Sequence, residues 1–309
     1  MAQLLARGFR PAYAVPVAET RSAIPQMTAA FAGARTEVGA VADRMIPGPG
    51  GDLPVRIYRP ALPDGTSLPL LLYFHGGGFI LGDLESHDHV CRFLCRAAGI
   101  VVIAVDYRLA PENKFPAAVD DCYAALCWVA DQAGELRIDP SRVALAGDSA
   151  GGTLAVTTCL LARERNGPRV ALQIPVCAAL TMADDDQFPS RRALGGGEYF
   201  VAYEDIAFFR NMYLSDPETQ AHLPLVSPIY ADHFRGLPQA LVISAGFDPL
   251  RDEDESYATR LRADGVPVTY RCFEGTIHPF LLFDGVLDAG REAQQLIAGT
   301  LKEVLAGKE

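Results

Sequence analysis

The chain has 309 residues, 50% of them hydrophobic and 21% charged, which fits a soluble globular protein with one large core and an appended subdomain. A formal net charge of −11 and a sequence pI near 5.0, with no stripe of Lys or Arg, argue against nucleic acid and anionic membrane surfaces as partners. The seven cysteines are odd in number and form no Cys-x-x-Cys pair, which points to reduced thiols in a cytoplasmic protein and away from a disulfide framework or a zinc site.

From the N-terminus, Leu4-Leu5-Ala6 before Arg7 is too short for the apolar region of a signal peptide. Residues 1 to about 45 precede the first predicted strand. After a Pro/Gly-rich turn at 46–52, residues 53–59 alternate as a strand, and the apolar run 68–74 forms another, too short to span a bilayer. That run leads into His75-Gly76-Gly77-Gly78-Phe79. Three consecutive glycines leave backbone N–H groups uncovered, as binding a developing oxyanion requires, and His75 is expected to hold the loop by a side-chain hydrogen bond. Ser86 is placed to cap a helix running to Ala98 and closed by Gly99. His87 and His89, two apart, do not share a helix face and read as surface residues. A strand over 100–106 and a helix over 117–133 follow.

Residues 143–146 predict a buried strand and residues 151–165 a helix, and between them stands Gly147-Asp148-Ser149-Ala150-Gly151. A Gly-x-Ser-x-Gly match arises by chance about once in ten chains of this length, so its context carries the weight. A serine on a strand-to-helix turn this sharp projects its hydroxyl above the sheet edge, and only small neighbours permit the turn. Ser149 is therefore the candidate nucleophile. A strand over 170–176 comes next. Residues 181–232 then break the alternation and hold an aromatic cluster that includes Tyr199, Phe208 and Phe209. Such residues are either the core of a subdomain or a lid lining an acyl pocket, and Phe79, Tyr199, Phe208 and Phe209 are the candidates for that lining. The alternation resumes with a strand over 240–245, a helix over 252–263, a strand over 266–273 and a helix over 288–305, so the sheet is predicted to be mainly parallel with helices on both faces.

A serine hydroxyl needs a base, and the base an orienting acid. Of the six histidines, His278 alone follows a late core strand. Asp248 directly follows the strand before it. Asp252, Glu253 and Asp254 are nearby alternatives, but they open a helix, where carboxylates serve the helix dipole. The order Ser, Asp, His is that of an α/β-hydrolase.

With these residues in view, the chain resembles the hormone-sensitive-lipase-like α/β-hydrolases, the bacterial family IV carboxylesterases, over nearly its full length. The blocks that carry the resemblance are 75–79, Asp-Tyr-Arg-Leu-Ala-Pro-Glu at 106–112, Gly-Asp-Ser-Ala-Gly-Gly at 147–152, Asp-Pro-Leu-Arg-Asp-Glu at 248–253 and Ile277-His278. The resemblance implies Ser149 as nucleophile, His278 as base, Asp248 as orienting acid and an oxyanion hole from the N–H groups of Gly77, Gly78 and Ala150. It also implies a catalytic core over 46–180 and 233–309 beneath a cap made from 1–45 and 181–232. Within the second block, Arg108 and Glu112 read as a scaffold pair. Two positions depart from the family pattern. Pro279 replaces the usual glycine after the histidine, which bears on the mobility of that loop, and Ala202 stands where Ser or Thr often caps the aromatic helix, which weakens its start by ~1 kcal/mol and favours a mobile lid.

The expected activity is hydrolysis of short to medium acyl-chain esters, with no metal or organic cofactor and with a homodimer as the possible assembly. Amide or acetyl-sugar hydrolysis could use the same groups. A non-catalytic receptor on this scaffold would lack the histidine, and a dehydratase would alter the nucleophile or the glycine loop.

Overall fold

The computed structural model describes residues 10–61, 67–183 and 187–306; Leu4-Leu5-Ala6 lies outside them, as do the outermost residues of the predicted cap and core. Eight strands form one sheet in the order β1-β2-β4-β3-β5-β6-β7-β8. They are β1 (Ala40–Gly48), β2 (Gly51–Arg59), β3 (Leu68–Phe74), β4 (Val101–Val105), β5 (Ile138–Asp148), β6 (Leu172–Val176), β7 (Gln239–Phe247) and β8 (Val268–Ile277). All neighbours from β4 through β8 are parallel, whereas β1 and β2 are antiparallel additions at one edge. Every residue of β4 and of β6 is buried, the pattern of strands covered on both faces.

Helices α1 (Val17–Phe31), α2 (Asp88–Ala98), α3 (Ala117–Asp131), α4 (Ala150–Glu164), α5 (Pro189–Leu194), α6 (Tyr203–Tyr213), α7 (Pro217–Gln220), α8 (Arg251–Ala263) and α9 (Asp288–Leu305) complete the regular structure described here. Side chains of α3, α4 and α8 join one buried cluster on one side of the sheet, and those of α2 and α9 join the other. Among the described residues no helix is long and apolar enough to cross a membrane.

Four details differ from the sequence reading. Residues 40–45, assigned to the cap, belong to β1, which pairs with β2 through a turn that sets Gly48 opposite Gly51. Its side chains are mostly exposed, so the alternation that marks a half-buried strand is missing. Ser86 does not cap α2. Its hydroxyl instead closes a turn with Asp83, accepting from that residue's N–H at 3.0 Å and donating to its carbonyl at 2.8 Å, while Gly99 closes the helix in the left-handed conformation as predicted, at φ 69°. Arg108 pairs with Asp121 at 2.8 Å and Glu112 with Arg21 of α1 at 2.8 Å, so the Arg108–Glu112 pair does not form. His87 and His89 are largely enclosed, His87 being only 3% exposed.

The cap helix α6 has no side-chain acceptor at Ala202, yet its start is not bare. Asp205 reaches back to the Ala202 N–H at 3.0 Å and also accepts from the Tyr13 N–H at 3.3 Å, supplying half of a capping box. One carboxylate therefore ties the N-terminal segment to the cap helix. Arg21 fastens α1 to the core by donating to the carbonyls of Ile80 and Ala110 at 2.8 and 2.7 Å. Segments from both ends of the predicted cap thus meet above the carboxyl ends of the strands.

Candidate active site

Ser149 joins β5 to α4 with φ 53° and ψ −122°, a conformation that costs a non-glycine residue of order 1–3 kcal/mol and persists only where the surroundings enforce it. Here the enforcement is close packing. A Cβ on Gly151 would lie 2.0 Å from the Phe74 carbonyl oxygen, and one on Gly147 would lie 2.4 Å from the same oxygen. The Ser149 N–H donates to the Val176 carbonyl at 2.8 Å, which pins the turn to β6.

Asp248 follows β7 and is fully buried. Its Oδ2 lies 2.7 Å from Nδ1 of His278, and its Oδ1 accepts the Leu250 N–H at 2.9 Å. The nearby carboxylates are engaged elsewhere. Asp252 accepts from Ser190 at 2.8 Å, Glu253 pairs with Arg191 at 2.6 Å, and Asp254 accepts the Ala178 N–H at 3.1 Å. His278 sits just beyond β8 at the start of a short 3-10 turn that includes Pro279. Burial alone would pull its imidazole down, but the charge and hydrogen bond of Asp248 outweigh burial and hold it above its ordinary value. Cys177 lies against the same pair. Burial, then the charge of Asp248, pushes its thiol well up.

The glycine loop after β3 turns with Gly77 and Gly78 at φ 121° and 61°. Both are needed on contact grounds too, since a Cβ would lie 2.3 Å from Leu81 O at Gly77 and 2.5 Å from the Phe209 ring at Gly78. His75 donates Nδ1–H to the Gly76 carbonyl at 2.8 Å and stacks on Tyr107 at 4.2 Å. Burial, then the neighbouring His87, pulls it down to about 4, leaving it neutral. Gly76, Gly77 and Gly78 line the same cavity as Ser149 and His278, and Ala150 opens α4 directly after the serine.

That cavity has a volume of about 130 Å³ and a largely apolar wall, close to the ~150 Å³ that holds a benzene ring. Ile24 and Met27 of α1, Phe200, Phe209 and Leu281 form much of that wall. Of the four aromatic residues expected there, Phe209 alone contributes. Phe79 is buried flat against Tyr213 at 3.9 Å, Tyr199 stacks on Phe247 at 4.9 Å, and Phe208 packs against the hydrophobic core. The contribution of α1 carries no motif, and only its packing reveals it. Asp148 and His87, also in the wall, escaped the sequence reading although Asp148 stands beside the serine.

Residues 71–282 match a family described by the α/β-hydrolase fold. The chain is 45% identical over 248 residues to the carboxylic ester hydrolase LipN of Mycobacterium tuberculosis, covering 78% of this chain and 64% of that protein. It is 40% identical over 268 residues to an arylesterase of Saccharolobus solfataricus, covering 86% of this chain and 84% of the relative. Among solved structures, the hyperthermophilic esterase of the archaeon Pyrobaculum calidifontis superposes with a TM-score of 0.89 at 42% identity, covering 95% of each chain.

Proposed function

Because the chain belongs to the hormone-sensitive-lipase-like carboxylic ester hydrolases of the α/β-hydrolase fold, we propose that Ser149, His278 and Asp248 are its catalytic triad and that it hydrolyses small esters with short to medium acyl chains. The observation that carries this reading is the 2.7 Å contact between Asp248 and His278 Nδ1, made by an imidazole that shares an apolar cavity with a serine held at positive φ.

In this mechanism Asp248 keeps the proton on Nδ1, so Nε2 is the basic nitrogen and takes the proton of Ser149 Oγ as that oxygen attacks the ester carbonyl. The carbonyl π electrons move onto oxygen, and the N–H groups of Gly77, Gly78 and Ala150 stabilise the charge that develops there. Among the described residues none of these three N–H groups has a protein acceptor. Collapse of the tetrahedral species breaks the bond to the alkoxy oxygen, which leaves as alcohol with the proton from His278. Water, deprotonated by the same nitrogen, then releases the acid and restores the serine.

A cavity near 130 Å³ suits a short acyl or aryl group and not an extended long chain. Cytoplasmic location and a homodimer are part of the same proposal, the first supported by five buried free cysteines among seven. Measuring kcat/KM for p-nitrophenyl esters from acetate to palmitate tests the size limit. The wild type is expected to prefer butyrate to palmitate by at least ~10-fold, with Phe209→Ala extending the accepted length, since each buried methylene contributes roughly 0.8 kcal/mol only where there is room for it. Palmitate or emulsified triolein turned over better than butyrate would replace the small-pocket esterase by a lipase.

A further inference from the structure

A second contact between an imidazole and a carboxylate lies beside the glycine loop, and the mechanism above makes no use of it. Asp148 precedes Ser149 at the end of β5. Its carboxylate accepts from the Tyr73 hydroxyl at 2.7 Å and lies 3.1–3.2 Å from Nε2 of His87. The same Nε2 is 3.2 Å from the N–H of Gly76, where the glycine loop begins, and Nδ1 faces Ser86 Oγ at 2.9 Å. Ser86 is itself fixed in its turn with Asp83, so the imidazole is held at both nitrogens. Gly76 rests so closely on Asp148 that a Cβ there would fall 2.3 Å from Oδ2.

One nitrogen therefore touches both pieces of the chemistry. Gly76 leads into Gly77 and Gly78, and Asp148 leads into Ser149. Burial would push the Asp148 carboxyl up, but its contacts with His87 and the Tyr73 hydroxyl outweigh burial and hold it below its ordinary value. A buried polar cluster of this kind costs stability unless its members satisfy one another, and once satisfied it rigidifies what it joins.

We propose that His87 and Asp148 are positioning residues that fix the oxyanion donors of the glycine loop relative to the nucleophile. The proposal rests on the roles assigned above to Ser149, Gly77 and Gly78. Donors to an oxyanion act only where the charge appears, and losing one such donor costs ~10²–10³-fold in kcat. A bridge that holds the loop at its correct distance protects part of that factor.

The test compares two amides at one position. In His87→Gln the amide falls near Nε2 and can still reach Asp148 and Gly76; in His87→Asn it falls near Nδ1, keeping Ser86 and losing the other two. His87→Asn is expected to lower kcat for p-nitrophenyl butyrate by roughly 10–100-fold with KM within about threefold, and His87→Gln to restore kcat to within about fivefold of wild type. A role confined to filling a buried polar space would lower the melting temperature of both and leave their kcat values alike; that result overturns the proposal. Should His87→Asn fail to fold, Asp148→Asn, which preserves shape, carries the test, and wild-type kcat in that protein overturns the proposal as well. Ser149→Ala measured alongside separates the two assignments. An inactive Ser149→Ala with a fully active His87→Asn removes only the positioning role, whereas an active Ser149→Ala removes the triad.

Discussion

His278 is the residue on which chemistry and pH dependence converge. Burial opposes its protonation, but Asp248 lies 2.7 Å from Nδ1, and Asp148 and Glu253 add negative charge from β5 and α8. The imidazolium is therefore favoured beyond its ordinary value of 6.5. In the proposed mechanism the neutral ring is the base, so kcat/KM is expected to be lost as pH falls through a midpoint above 6.5. Asp248→Asn should move that midpoint down and lower kcat by ~10⁴-fold, because the charge and the orienting acceptor go together. Asp252→Asn should change kcat no more than about threefold, its carboxylate serving Ser190 instead. A pH–rate profile of the three proteins checks both points; a midpoint below 6.5, or equal losses, would reassign the acid. At this scale the strand-end positions of Ser149, Asp248 and His278 were legible in the sequence, each directly following its strand in the structure. Partners that come from distant segments were not legible. Arg108 and Glu112 are four apart and look paired, yet each finds its partner elsewhere, in Asp121 and Arg21. His87 looks like a surface residue because nothing in its neighbours in sequence announces the loop that covers it.

At the scale of elements, the buried parallel strands announced themselves by continuous apolar runs, and β3 and α9 begin and end where their patterns do. The edge strand β1 was hidden because only Ile46 of its nine residues is buried, so its register comes from pairing with β2 and not from a core-facing stripe. The start of α6 shows the converse. Ala202 removes the usual capping side chain, which would suggest a loose lid, but Asp205 three residues on takes over the Ala202 N–H and ties Tyr13 as well. Asp205→Ala should therefore cost about 0.5–2 kcal/mol, visible as a fall in Tm of roughly 1–3 °C. It should also raise KM for butyrate esters, because both sides of the cavity roof lose a common anchor. Thermal unfolding and steady-state kinetics of the variant check this, and an unchanged Tm would mean that the cap segments are held by packing alone.

For the whole molecule, the arrangement is one sheet whose neighbouring strands bring Phe74, Asp148, Phe247 and Ile277 to a shared carboxyl edge. Residues about 200 positions apart in the chain, such as Gly76 and His278, thereby come to line one cavity, which is how an open α/β sheet ordinarily builds a site. Helix α1, far from any motif, supplies part of the roof through Ile24 and Met27, so part of the cavity wall comes from a segment that sequence patterns leave blank. Every step of the proposed cycle depends on Ser149 being the nucleophile. The most direct measurement is the intact mass and peptide map of the protein after reaction with a p-nitrophenyl alkyl phosphonate, run in parallel on folded Ser149→Ala. One adduct per chain, on Ser149, appearing in step with loss of esterase activity, and no adduct in a variant whose kcat is down at least ~10³-fold, is the predicted result. Near-wild-type ester turnover by folded Ser149→Ala would contradict it.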